Sequence, residues 1–389
     1  MSGRVLLEQI NSLITLRNDK SKQLKSIDYQ ESGLLPIVDQ GAALICGYTN
    51  NIEKKYDKGL PVIIFGDHTL HTKFIDFDFA IGADGTQIIV PSHKSVDSKY
   101  LFYLILRATE IIGSEGYKRH LKILKEFYTP FIADQKQQQK IAKILTSVDE
   151  VIETTETQIN KLKDLKKGMM NELLTKGIGH TEFKDSAVGR IPVGWEVVTV
   201  GKVAGVVDSM HQTPIFVDVG MPMVRVTEIR QSDHLDISNA AMVSENTFAA
   251  FSRNYQPKCG DTLIARVGAY FGATSFLDKE AEFCLGQNTA SIRPKEVCAT
   301  YLFYILNSKN SRNQMNDAVS VGAQPSLSLK AIKNLFIFLP PPQEQHKIAK
   351  ILSSIDTNIE QKQAKLTQSK NLKKSLMADL LTGKVRVNV

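Results

Sequence analysis

The feature that most constrains this chain is a segment written twice. KIAKILTSVDEVIETTETQINKLKDLKKGMMNELLT at residues 140–175 aligns without a gap on KIAKILSSIDTNIEQKQAKLTQSKNLKKSLMADLLT at residues 347–382, with about half of the positions identical. Steps of four and three residues in alternation place Ile141, Leu145, Val148, Ile152, Ile159, Leu162, Met169 and Leu173 on one helical stripe. The second copy places Ile348, Leu352, Ile355, Ile359, Leu366, Leu376 and Leu380 in the same way. That spacing is the a/d pattern of a coiled-coil seam. Polar residues interrupt it at matching places, Thr155 with Lys362 and Lys166 with Lys373. Neither copy contains proline, and each is followed by a stop signal, Gly177 or Gly383. A helix of about 36 residues runs roughly 50 Å. A stripe so narrow between charged flanks needs cover, and the two copies can cover each other as an antiparallel intramolecular pair. The competing expectation is that each helix packs back on its own lobe.

The duplication extends into the segments between the helices. Tyr100-Leu101-Phe102-Tyr103 recurs as Tyr301-Leu302-Phe303-Tyr304, each opening an apolar helical turn. Upstream, IGADGTQIIVP (81–91) resembles LGQNTASIRP (285–294), and PVIIFGD (61–67) resembles DTLIARVGA (261–269) in its order of strand and glycine turn. Two lobes therefore share an order of elements while differing in most residues. Such a frame suits two similar contacts with two different targets. Residues 176–195, rich in glycine and polar side chains and ending on the only tryptophan, read as a linker into the second lobe. Three prolines in FLPPPQEQ (338–345) force an extended approach to the second helix, whose first turn begins with Gln and Glu.

Bulk properties narrow the class without deciding it. The chain has 389 residues, 42% hydrophobic and 23% charged, enough for two or three cored domains. The net charge of +7 fits contact with a polyanion, although many basic proteins bind none. Cys46, Cys259, Cys284 and Cys298 are scattered, which argues against a disulfide framework or zinc site and points to the cytoplasm. No apolar run is long enough to span a bilayer. The chain contains no G-x-x-x-x-G-K-[ST], no G-x-G-x-x-G after a strand, no G-x-S-x-G and no H-E-x-x-H. No enzyme, cofactor or metal is therefore expected. His68 and His71 have a ligand-like spacing but no acidic or cysteine partners nearby in sequence.

What remains is polar and basic material on predicted turns. In the first lobe the candidates are His68, Thr69, His71, Lys73, Thr86, Lys118 and Arg119. In the second they are Arg225, Arg230, Arg253, Arg266, Tyr270, Gln287, Asn288, Gln324 and Ser326. Arg, Lys, Asn and Gln pair with guanine and adenine edges, and Lys and Thr hold phosphates. Taken singly, each could equally well be a solvated turn residue. As a set they point to a DNA-contacting face.

The helix ending LKKGMMNELLTKGIGHTEFKDSAVGRIPVGWEV and the approach LPPPQEQHKIAKIL with its ending LLTGKVRV resemble the specificity subunits of type I restriction-modification systems. The resemblance covers nearly the whole chain. It departs from the pattern in two places: PFIADQKQQQ (130–139) replaces the proline-rich approach, and the first lobe has no counterpart of IPVGWEV but begins with VLLEQINSLITL. The resemblance implies an α+β fold with two target recognition domains joined by two long helices in an antiparallel coiled coil, a pseudo-twofold tandem repeat. The expected bounds are 1–134 for the first recognition domain, 135–180 for the central helix and linker, 181–342 for the second recognition domain and 343–389 for the last helix. It further implies that each lobe reads half of a bipartite, asymmetric site on double-stranded DNA. The helices would set the spacer and dock two modification (methyltransferase) subunits, which restriction (translocase/nuclease) subunits join. The alternatives are a coiled-coil adaptor that binds only protein, or an enzyme with an unrecognised site. An adaptor has no reason to carry two lobes of one frame with divergent Arg-, Gln- and Asn-bearing turns.

Overall fold

The computed structural model describes residues 5–113, 118–319 and 325–388. The chain divides into two compact units, residues 1–157 with 363–389 and residues 158–362. The division falls within both long helices, Gln135–Lys176 and Pro342–Leu380, so each unit holds one lobe and about half of each helix.

Both helices are longer than the repeat predicts, at 42 and 39 residues, or about 60 Å each. The extra length lies at their starts. Asp134 accepts hydrogen bonds from the backbone N–H groups of Lys136 (2.8 Å) and Gln137 (3.3 Å), satisfying donors that a first helical turn leaves open. The second helix starts at Pro342, so the last of the three prolines lies inside it, where its fixed φ suits the first turn.

In the first unit the central sheet is antiparallel, in the order Ile14–Leu16, Thr86–Pro91, Val62–Gly66, Thr72–Ile75. A smaller sheet orders Gly47–Thr49, Leu35–Val38 and Ala80–Ile81, the last pair parallel. Val5–Gln9 pairs with Tyr128–Ile132 immediately before the first long helix. Ile63, Phe65 and Ile89 of the sheet form one core with Tyr100, Leu101 and Leu104 of the Ser98–Ile112 helix. Ile141 and Leu145 of the first long helix, Leu380 of the second and Leu381 just after it complete that core.

The second unit repeats this order. Its central sheet runs Ala204–Asp208, Thr289–Pro294, Thr262–Ala265, Thr274–Phe276. Its smaller sheet contains Ala241–Val243, Met221–Val224 and the parallel Cys284–Leu285, with an added edge strand at Phe216–Val217. Glu196–Thr199 pairs with Phe336–Leu339 before the second long helix. The opening strand of the first lobe is thus the counterpart of Glu196–Thr199. What the first lobe has no match for is the preceding hairpin, Phe183–Ser186 with Gly189–Pro192.

That hairpin corrects the linker reading of residues 176–195. Trp195 is fully buried, and Glu344 in the first turn of the second long helix gathers three donors from the segment. It accepts from Trp195 Nε1 (3.0 Å), from the Ile178 N–H (2.9 Å) and lies 2.9 Å from His180 Nε2. Gly177 has φ +68°, and a Cβ there would meet Glu344 and Trp195 at 2.5 and 2.7 Å, so a side chain is excluded. Removing the carboxylate strands a buried indole N–H, which costs about 2–3 kcal/mol. E344A is therefore expected to lower the urea midpoint of unfolding, while E344Q, which keeps an acceptor, loses less; equal losses would count against this clasp.

The twenty seam positions are all buried or half-buried, while most flanking positions are exposed. Within the first unit Lys373 pairs with Asp149 and Lys370 with Glu156, both at 2.7 Å. Within the second, Lys166 pairs with Asp356 at 2.7 Å and Lys362 donates to Gln158 at 2.7 Å. In each unit one helix segment ascends in number as its partner descends. Both helices sink their ends into the lobe cores. Among the described residues, no helix is long and apolar enough to cross a membrane.

Candidate nucleic-acid interface

In the first lobe, turns from three parts of the chain meet at Gln40. Its Nε2 donates to the Asp84 carbonyl (2.7 Å), its Oε1 accepts from the His68 N–H (3.2 Å), and its carbonyl accepts from Thr69 Oγ1 (2.5 Å). His68 Nδ1 lies 3.3 Å from the Lys118 carbonyl, and His120 donates its N–H to the Asp67 carbonyl. These bonds bring His68, Thr69, Lys118 and the 83–86 turn to one edge of the lobe. His71 is exposed and tied to Thr69 Oγ1 through its N–H (3.4 Å), and Lys118 and Arg119 are exposed beside them. Two candidates face inward. Lys73 is 7% exposed and donates to the Asp39 carbonyl at 2.7 Å. Burial lowers its pKa, with Asp39 opposing the shift. Thr86 is 6% exposed and donates to the Ala83 carbonyl, closing the turn.

In the second lobe the short helix Val226–Ile229 carries Arg225 at one end and Arg230 at the other. Arg225 pairs with the buried Glu228 at 2.8 Å and stacks over Phe216 at 5.3 Å. Gly286, next to Gln287, lies against the Arg225 side chain. Gln287 is exposed, with Thr213 Oγ1 3.5 Å from its Oε1. Arg230 lies over the exposed Tyr270 ring at 4.3 Å, a cation–π contact that holds the guanidinium at the surface. Arg266 is the brace behind these turns. It is 9% exposed, ion-paired with Asp208, and its Nε donates to the Leu327 carbonyl at 3.1 Å. Its own N–H donates to the carbonyl of Asn288, which is held at φ +68°. Ser326 flanks a bridge between this loop and Val267, and Gln324 lies outside the described residues. Arg253 is exposed after the Glu245–Phe251 helix, and these contacts do not bring it to the cluster.

Three features escaped the sequence reading. Gln40 organises the first edge, and the polar run Asp39-Gln40-Gly41 was its only signal. Asp208 bridges Arg266 and His211, the latter at 3.0 Å. The added edge strand of the second lobe exposes Ile215 (82%), Phe216 and Val219 (89%) beside Arg225 and Gln287, an apolar loop of the kind that meets thymine methyls. Among the described residues no cluster of three or more His, Cys, Asp or Glu side chains could hold a metal ion.

The arrangement offers exposed hydrogen-bonding and cationic groups held by buried partners. The family model for the type I restriction modification DNA specificity domain matches residues 8–164 and again 192–369. The specificity subunit of the type I restriction enzyme MjaVIII from Methanocaldococcus jannaschii is 28% identical over 312 residues, 76% of this chain and 72% of that one. The crystal structure of the S subunit of a type I restriction-modification system from M. genitalium superposes with a TM-score of 0.67 at 15% identity, over 98% of this chain and 96% of that one. A chain from a structural description of complex assembly and conformational transition in the type I R-M system gives 0.55 at 18% identity, over 99% of both.

Proposed function

This chain belongs to the type I restriction modification DNA specificity family, and we propose that each of its two lobes reads one half of a bipartite, asymmetric site on double-stranded DNA. It is a DNA specificity subunit and not the catalyst. The observation that carries the two-half reading is one sheet order built twice, with different side chains on the turns at matching places. The frame is common to both lobes; the readers differ. Gln287, Arg225, Arg230 and Tyr270 form the reading edge of the second lobe, with His68, Thr69, His71, Lys118 and Arg119 that of the first. Lys73, Thr86 and Arg266 hold those edges in shape.

The recognition domains span 1–134 and 181–342, and the helical parts 135–180 and 343–389. The two long helices form an antiparallel coiled coil that sets the gap between half-sites. The opposed ion pairs in each unit and the buried seam support this. Two modification subunits dock on it, restriction subunits join them, and the assembly works in the cytoplasm. Because methyl transfer takes the base out of the stack, the enzymes would sit beside each lobe.

The test is a pair of variants in the assembled modification complex. Q287A alters an exposed side chain, so its melting temperature should match the parent within about 0.5 kcal/mol equivalent, while affinity for the specific site falls by about 1–3 kcal/mol. R266A leaves Asp208 without its ion-pair partner and the Leu327 carbonyl without its side-chain donor, and should lower stability by about 3 kcal/mol, weakening specific binding through disorder of the edge. If Q287A and several other exposed edge variants bind the site as the parent does, this edge is not the reader.

A further inference from the structure

A lysine in a coiled-coil seam costs stability and has to be explained. This chain has one at the same heptad place in each helix, Lys166 and Lys373, and both sit in the same network. Lys166 Nζ lies 2.7 Å from Asp356 Oδ1, Tyr304 Oη donates to Asp356 Oδ2 at 2.6 Å, and the lysine lies 5.7 Å from the Tyr304 ring centre. Lys373 Nζ lies 2.7 Å from Asp149 Oδ1, Tyr103 Oη donates to Asp149 Oδ2 at 2.8 Å, and the lysine lies 5.8 Å from the Tyr103 ring centre. The aspartate stands on one long helix, the lysine on the other, and the tyrosine on the helix of the lobe. A second joint recurs beside it. Buried Gln138 accepts from the Asp97 N–H and donates to the Ile132 carbonyl, and buried Gln345 does the same with the Cys298 N–H and the Pro340 carbonyl.

An apolar seam tolerates sliding by a heptad, because Ile and Leu recur every seven residues. A lysine does not. Sliding by one heptad brings Ala349 or Gln363 to the level of Lys166, breaks the Lys166–Asp356 ion pair and leaves the buried Asp356 carboxylate without its counter-charge, which the low local dielectric penalises heavily. The tyrosine adds a further constraint, since it ties the lobe to the same aspartate. We propose that the two Tyr–Asp–Lys networks are register clamps, positioning residues that lock each lobe to one alignment of the helix pair and so hold the methylation gap to a single length. This rests on the reading that the helices set the gap. The clamps are not equal. Lys166 also bonds Asp233 of the second lobe at 2.7 Å, and its side chain is 15% exposed against 22% for Lys373. The second clamp should therefore matter more.

The experiment uses the whole chain co-expressed with its methyltransferase subunit, with methylated bases mapped across the host genome. Methionine keeps the length and apolar stem of lysine, so K166M and K373M retain the seam. The double variant should keep both half-site sequences, while methylation at sites with a gap about three base pairs longer or shorter, the length of one heptad, rises at least tenfold above the parent. K166M alone should relax the gap more than K373M alone. The charge exchange K373D with D149K should restore the single gap that K373M relaxes, which also serves if the methionine variants fold poorly. A melting temperature that falls while the gap stays single would overturn the clamp, as would a charge exchange that leaves the gap relaxed. If the unsubstituted complex already methylates no gapped motif, the spacer reading fails and takes the clamp with it.

Discussion

Replacing residues 181–342 with the corresponding lobe of another specificity subunit is expected to change the bases of one half of the methylated motif and leave the other half untouched. The expectation follows from how each lobe is built. Its reading turns are braced from within the lobe, as Arg266 braces residues 288 and 327 and Gln40 braces residues 68, 69 and 84. None of these bonds leaves its unit. The lobe also needs its helical floor, because Leu173, Leu174, Ile348 and Leu352 share a core with Trp195 and Tyr301. Those floor residues lie outside the exchanged segment and in the repeated helices. A donor lobe that supplies an indole for Glu344 and a tyrosine for Asp356 should therefore dock as the native one does. The effect is all or none: sites carrying the old half lose methylation and sites carrying the new half gain it. Change in both halves would contradict reading lobe by lobe.

The second large effect concerns the gap. One heptad inserted after Thr157 and one after Lys362, where the two units divide both helices, keeps the seam in phase and every buried ion pair in place. Each heptad adds about 10 Å of helix, comparable to about three base-pair steps at 3.4 Å along each strand. The motif should keep its half-site letters and acquire a longer gap. Inserting two residues in one helix alone turns the stripe by about 200° beyond the insertion and buries charged side chains, so assembly and methylation should be lost. Altered half-site letters with an unaltered gap would reject the ruler.

How much of this was legible depends on the kind of residue. The helical stripe carried the clearest signal, because a helix repeats its environment every seven residues, and the positions at that period are buried or half-buried. The lobe repeat was legible where it is apolar, as in Tyr100 and Tyr301, since cores tolerate little change. Even the Gln138 and Gln345 joints carried a signal, Gln-x-Lys-Ile-Ala-Lys in both copies. The division of the chain was less so. Sequence composition separates lobes from helices, but a shared core joins the start of the first helix to the end of the second, far apart along the chain. The reading edge was the least legible. Lys73, Thr86 and Arg266 have the residue types of DNA contacts, yet each turns inward to an acceptor: the distant Asp39 carbonyl, the Ala83 carbonyl across its own turn, and the distant Asp208. Residue type reports what a side chain can bond, and only the fold reports what it already bonds. The converse holds for Ile215, Phe216, Val217 and Val219, apolar by type yet exposed where the added strand lies at a sheet edge.

The central claim is that one chain carries two independent readers at a fixed separation. Mapping every methylated base in cells that express this chain with its modification subunit tests it most directly. The account predicts one asymmetric motif of two defined halves around a gap of constant length and undefined sequence. A continuous or palindromic motif, or no motif at all, would contradict it.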